Sequence, residues 1–394
     1  MIPSLTCGEG VNFERKSYMI DGPRGIKPDE LDEVCDLVGR VFNWQMRENF
    51  PTLFCKENAD NIRIIKADGK IVSHIGIVVR DMIINGCRIS VGNVGAVCTD
   101  ENYRKRGYAW AILEDAIKKL RSDGVDMLLV SGSRTLYIQH GCTHVGKVNV
   151  YTLSSEISIP KMKQQARKFE IDDLPQWANL YRNEPIRFHR PYNDFHDLVT
   201  KAMVYRPNRS LSSILTNENI NAYAVIAKTN VNKREVIVID EYAGSRRAII
   251  SAIPDWFEQY RVQQCNIPVP IHDIEFANLF EFLGIKPSFS KASGGTISII
   301  NFPQLCKKLM PLFEEKVGTC AVQNLNFSEC DNTYTFRLDG EVAVYNDIHD
   351  VTKLIFGDPP GIDKPTEIPA QGRLLDLLKQ IFPIPRPEYG LSYI

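Results

Sequence analysis

Residues 94–117, VGAVCTDENYRKRGYAWAILEDAI, change period partway along. The first six form an apolar run with a glycine at 95, in the manner of a buried strand, and a polar turn follows. From Gly107 onward, Ala109, Ile112, Leu113, Ala116, Ile117 and Leu120 recur at the i, i+3, i+4, i+7 spacing of a buried helical stripe. The stretch therefore predicts strand, loop, helix, with Arg104, Lys105, Arg106 and Gly107 where the helix begins. Such a turn suits a pyrophosphate. First-turn N–H groups lack intrahelical partners, and the helix dipole favours negative charge there. Gly107 has no Cβ to keep phosphate oxygens away, and Arg104 and Arg106 can add charge-assisted bonds. No Gly-Lys-Ser/Thr follows and no GxGxxG is present, so this is neither a nucleotide-type phosphate loop nor a dinucleotide loop. A solvated basic turn capping an ordinary helix explains the hexapeptide equally well.

After a stop at Asp123-Gly124 comes a second apolar run over 127–133, then Tyr137-Ile138-Gln139-His140-Gly141-Cys142. Arg104-x-x-Gly107-x-Ala109 after an apolar strand resembles the acyl-CoA pyrophosphate loop of the GNAT superfamily of N-acetyltransferases. Tyr137 and Gly141 are similar to the Tyr-x-x-Phe-Gly-Tyr element of the Eis-type (enhanced intracellular survival) branch, from which His140 and Cys142 depart. The resemblance implies an acetyl-CoA cosubstrate. Its pantetheine arm would meet the strand backbone at Val97, Cys98 and Thr99, and its pyrophosphate would meet Arg104, Lys105, Arg106, Gly107, Tyr108 and Ala109. It also makes Tyr137 the general acid for the CoA thiolate, a role a phenol can fill because the thiolate is otherwise a poor leaving group. The reading of Tyr137 as a packing aromatic whose hydroxyl caps a carbonyl stands beside it. His140, Cys142 and His144 form His-x-Cys-x-His, which is not a usual zinc spacing and has no fourth ligand close by, so no metal is expected.

With 394 residues the chain is too long for one core. A formal net charge of −1 gives no global field for nucleic acid or anionic membrane. Ten cysteines without any CxxC point to free thiols in a reducing compartment. No basic-then-apolar leader and no bilayer-length apolar run is present, so a cytoplasmic protein is expected.

Taken in order, residues 31–41 carry a helical stripe (Leu31, Val34, Leu37, Val38, Val41), followed by the aromatic segment Phe42 to Phe50. In the family this pair overhangs the acceptor, which makes Phe42, Trp44 and Phe50 candidate acceptor contacts; core packing is their ordinary fate. Strands at 62–67 and 70–77 flank Asp68-Gly69, and 82–84 and 87–91 flank Asn85-Gly86, two hairpin turns. His74 is either a base facing the acceptor or a satisfied core histidine. A strand at 148–154 is expected to close the first domain, and 159–167 reads as a linker.

Strands at 222–227 and 234–242, then Gly244-Ser245-Arg246-Arg247 and a stripe through Trp256, repeat the strand–turn–helix plan without its Arg-x-x-Gly order. The last region holds a hairpin at Asp339-Gly340, a short helix ending at Gly357 and a helix over 374–381. The fold expected is α/β (α+β): an N-terminal GNAT domain over 1–159 that binds acetyl-CoA, a degenerate GNAT-like domain over 160–301, and a small sterol-carrier-protein-like domain over 302–394. In the Eis-type proteins the C-terminal carboxylate enters the first active site as general base. Carried over, that group is the carboxylate of Ile394, a feeble base unless desolvated, and a water relay is the alternative. The function expected is N-acetylation of a primary amine on a small molecule or peptide, by a self-associating enzyme. A non-catalytic acyl-CoA sensor is the rival, and a nucleic-acid binder through Arg104 to Arg106 is disfavoured by the neutral charge.

Overall fold

The computed structural model describes residues 19–157, 159, 165–200 and 209–394. The linker expected over 159–167 lies largely outside these residues; 165–168 are in a strand. Strands β1 (Ile20–Gly25), β2 (Ile62–Ala67), β3 (Lys70–Ile84), β4 (Cys87–Thr99) and β5 (Met127–Val130) come first, with helices α1 (Leu31–Phe42), α2 (Met46–Asn49), α3 (Tyr108–Ser122) and α4 (Thr135–Gln139) among and after them. Next are β6 (Val148–Ser154), β7 (Gln165–Lys168), β8 (Ile186–Phe188), β9 (Arg209–Thr216), β10 (Asn219–Val231), β11 (Arg234–Gly244), β12 (Gln264–Pro270), β13 (Phe289–Lys291) and β14 (Thr296–Ile299). Helices α5 (Leu174–Asn183), α6 (Tyr192–Thr200), α7 (Arg246–Tyr260) and α8 (Ile274–Phe282) lie between these strands.

These strands build two sheets on one plan. The first runs β1-β2-β3-β4-β5-β14, with β8 beside β3; the second runs β7-β9-β10-β11-β12-β6-β13. In each, one adjacent pair is parallel (β4 with β5, β11 with β12), and a helix, α3 or α7, makes the crossover. All other neighbours are antiparallel.

The strand expected to close the first sheet does not do so. β6 pairs with β12 from Gln264↔Ser154 to Pro270↔Val148, and its Tyr151 stacks on Phe280 at 4.1 Å. β14, from the far half of the chain, takes the vacant place beside β5. The sheets therefore exchange one strand each, and a cut at residue 159 does not separate them. An alternating apolar pattern says that a strand is half buried, and it is the same whichever edge the strand joins.

Helix α3 buries Ile112, Leu113, Ala116 and Leu120 on one face of the first sheet, as its stripe predicts. Helix α1 covers the other face with Leu31, Val34, Leu37 and Val38, in a cluster that continues through Trp177 and Tyr223 to the second sheet. In the last region β15 (Asn326–Cys330), β16 (Thr333–Leu338) and β17 (Glu341–Tyr345) form a small antiparallel sheet. It sits among α9 (Phe302–Lys308), α10 (Met310–Val317), α11 (Thr319–Val322), α12 (Ile348–Phe356) and α13 (Gly372–Ile381). Their core is continuous with Met82, Ile89, Met127 and Ile297 of the first sheet, so the last region has no core of its own. Among the described residues no helix is long and apolar enough to cross a membrane.

Candidate active site

The site begins where two parallel strands part. β4 and β5 pair from Val91↔Met127 to Val94↔Val130 and no further. Residues 95–99 keep only their β3 partners, so the edge they present toward β5 carries backbone groups with no ladder. A one-residue bulge sharpens the departure, because Gly76↔Gly95 is followed by His74↔Cys98. Ala96 takes a left-handed φ of 53°, and its carbonyl accepts a hydrogen bond from His74 Nδ1 at 2.9 Å. His74 is the core histidine of the two readings. It packs against Phe54 at 5.7 Å, and burial lowers its pKa to about 4, so the ring is neutral.

The parting strands open into a cavity of about 250 Å³. Its wall includes Phe42, Trp44, Phe50, Val97, Tyr137 and Ile394, six side chains drawn from four separated stretches of sequence. Cys98 and Thr99 face elsewhere. Cys98 is buried among the α1-side residues, with its thiol pushed up to about 12 chiefly by burial, and Thr99 Oγ1 bonds Ser73 Oγ at 2.8 Å. Only their main chain is available to a ligand.

Tyr137 is 5% exposed, on the one-turn helix α4. Burial raises its pKa, which keeps the phenol protonated at neutral pH. Ile394, 5% exposed, packs against Gly95 so closely that a Cβ there would lie 2.7 Å from the Ile394 carbonyl carbon.

At the other end of the opening, Asp100 caps a 3-10 turn at Glu101–Tyr103, and Arg104, Lys105, Arg106 and Gly107 follow, all exposed. Gly107, at φ 79°, is the N-cap of α3; no side chain caps it and no acidic residue lies in the first turn. A Cβ there would meet nothing within 4 Å, so space lies in front of the turn. Arg104 Nε reaches Thr99 O at 3.3 Å and Arg106 Nη2 reaches Asn102 O at 3.2 Å, which folds the loop into shape. Tyr108 and Ala109 are half-buried at the start of the helix.

Residues 23–145 match the family described as an acetyltransferase (GNAT) domain. The likeness to that family is confined to this stretch. No curated protein matches the sequence. Solved structures match along most of the chain. The GCN5-related N-acetyltransferase from Kribbella flavida superposes with a TM-score of 0.61 at 12% identity, covering 96% of this chain and 98% of that one. A GCN5-related N-acetyltransferase from Anabaena variabilis gives 0.59 at 12%, covering 86% and 90%. Eis1 from Mycobacterium abscessus gives 0.57 at 11%, covering 86% and 90%. At these identities the likeness is one of fold, and that mixed α/β fold extends well beyond residues 23–145.

Two further features lie outside residues 23–145. Neither was singled out as a site from the sequence. In the second sheet β11 and β12 pair only at Ile237↔Cys265 and Val238↔Asn266. Beyond that they splay around a cavity of about 920 Å³, lined in part by Asp240, Glu241, Tyr242, Pro268 and Pro270. It shares Ser131 and Tyr393 with the smaller cavity, so the two adjoin. The turn before α7, however, holds a carboxylate. Glu184 Oε1 accepts from Gly244 N–H at 3.0 Å, and both Glu184 oxygens accept from Arg246 at 2.6 Å. Arg246 Nε also reaches Asp273 at 3.0 Å. His140 of the His-x-Cys-x-His run bonds Leu136 O and packs on Trp110, and the described residues contain no cluster arranged to hold a metal.

Proposed function

We propose that the chain is an acetyl-CoA-dependent N-acetyltransferase that moves an acetyl group to a primary amine by direct attack. One observation carries the reading: Tyr137, Ile394 and the unladdered edge at residues 95–97 meet in a single cavity roofed by Phe42, Trp44 and Phe50. The residues fit the cosubstrate. Arg104, Lys105, Arg106 and the first-turn amides of Tyr108 and Ala109 would hold its pyrophosphate in the open space before Gly107. The free edge at Val97, Cys98 and Thr99 would pair with its pantetheine amides.

The amine nitrogen then attacks the thioester carbonyl carbon, and backbone N–H groups of the parted strand offset the charge that develops on oxygen. As the C–S bond breaks, Tyr137 gives its proton to sulfur. The Ile394 carboxylate, directly or through a water, takes a proton from the amine. The seat of Ile394 against Gly95, in the wall of the same cavity, favours this. The larger adjoining cavity supplies room for the body of the acceptor, which makes the second sheet the far wall of the acceptor site.

The repeated strand order supports reading residues 160–301 as a degenerate GNAT-like unit, with the strand exchange as an amendment. For residues 302–394 the sterol-carrier-protein-like reading rests on the small antiparallel sheet and its flanking helices.

Thiol release from acetyl-CoA across a panel of amines (aminoglycosides, polyamines, lysine peptides, amino acids) is the test. Turnover on at least one class is expected. Tight CoA binding with no turnover on any would replace the enzyme by an acyl-CoA sensor.

A further inference from the structure

The last five residues are held in a way that residues 23–145 alone do not account for. Leu391 and Ser392 are 1% and 0% exposed, yet they belong to no sheet. What grips them is one buried ion pair of the second half. Arg190 and Glu241, with side chains 1% and 8% exposed, bond through both guanidinium nitrogens and both carboxylate oxygens at 2.8 and 2.7 Å. Each partner also spends its remaining capacity on a neighbour. Arg190 Nε donates to Ser392 Oγ at 2.9 Å, and Glu241 Oε2 accepts from Leu391 N–H at 2.7 Å. Tyr223 OH donates to Glu241 Oε1 at 2.8 Å, and the guanidinium lies 4.0 Å over the Tyr181 ring.

Glu241 is where it is because of a bulge. On β11 the register with β10 shifts between Val225↔Glu241 and Ile226↔Ile239, which leaves Asp240 as the extra residue and turns the next side chain toward the tail. The first sheet carries its own bulge at the matching strand, and Gly95 beside it receives Ile394. The tail thus runs from a grip on the second sheet to a seat on the first, three residues apart.

We infer that the Arg190–Glu241 pair is a positioning device for the reaction: it fixes residues 391 and 392, and through them sets Ile394 in the catalytic cavity. Burying a matched ion pair is a poor way to gain stability, because desolvation offsets the attraction, but it specifies a geometry well. Here four donors converge on one carboxylate, and one of them is the tail's own backbone. This rests on the reading of Ile394 as the base.

Two independent readouts keep the claims apart. Carboxypeptidase release of Ile394 reports the grip without any assumption about chemistry, and kcat with KM for acetyl-CoA reports its consequence. Glu241→Gln should speed release and lower kcat by about tenfold each while KM for acetyl-CoA stays within about twofold, since the ligand's own loop is untouched. Ser392→Ala, a milder change that leaves the ion pair in place, should move both in the same direction by a smaller factor. In a chain ending at Tyr389, Glu241→Gln should cost no further kcat, because there is no tail left to misplace.

Release at the wild-type rate in both variants overturns the inference. So does faster release with kcat unchanged, and so does a kcat loss that multiplies with the truncation. Absence of turnover in the wild type defeats the enzymatic reading, and the grip is then judged on Ile394 release.

Discussion

The turns before α3 and α7 follow the same kind of strand, begin the same kind of crossover helix and lead to the same kind of parallel partner. They differ in what stands in front of them. Gly107 faces open space, with three cations beside it and no cap. Gly244 gives its N–H to Glu184, whose carboxylate is also clamped by Arg246, and Ser245 caps the helix. The second turn already holds an anion of the protein's own making. A helix N-terminus attracts negative charge in either case. Whether it is a ligand site depends on whether the chain has filled it.

The comparison breaks most easily at the chemistry, because after β5 the chain places Tyr137, and after β12 it places the capped helix α8. Tyr137→Phe should lower kcat by ~10²–10⁴ with acetyl-CoA affinity nearly intact. Steady-state kinetics beside a CoA titration decide it, and an unchanged kcat removes Tyr137 from the mechanism. Glu184→Ala should destabilise the fold by about 3–5 kcal/mol, since it leaves Arg246 half-paired in a largely buried place. Chemical denaturation measures that, and calorimetry on the same protein should still count one CoA per chain. A second equivalent bound would mean that the carboxylate alone had been excluding it.

The bulge of the first sheet adds a pH signature of its own. His74 is neutral when buried and protonates near 6.5 when unfolded, so its folded pKa of about 4 is a depressed one. Its stabilising contribution is complete above pH 6.5 and is lost as pH falls toward 4, by about 3 kcal/mol in all. His74→Gln should flatten the stability profile of thermal or denaturant melts across that window. The smallest effect expected is at Gly107. A β-branched residue at φ 79° is strained and stands the ligand off, so Gly107→Val should weaken CoA binding by about 10- to 100-fold, with the fold otherwise kept. Undiminished affinity would mean that the ligand does not use this turn.

What could be read from the sequence was local. The stripe from Ile112 to Leu120 and the glycine before it report on one another within two or three turns of chain, and they placed α3 and its open N-terminus. The aromatic trio and Tyr137 were named from a family likeness, and all four line one cavity. Alternation failed inside β3, where reading stopped at Ile77 and resumed at Met82. There Val79 is 39% exposed and Arg80 buried, the inverse of what their polarity suggests. Cys98 and Thr99 could be assigned to the ligand only as backbone, since a sequence does not say which face of a bulged strand a side chain takes. Contacts made across long separations left no mark. Glu184 stands 60 residues from Gly244, and Arg190 stands 202 from Ser392. The exchange of β6 and β14 was equally silent, because pairing partners are not written in a strand's own residues.

That exchange governs how the protein can come into being. A nascent chain that has reached residue 159 has made a strand its own sheet does not use, while β5 still waits for residues 296–299 to emerge from the ribosome. Neither half can be finished first and then joined to the other. A product that stops before residue 296 therefore leaves the β5 edge of the first sheet without its neighbour.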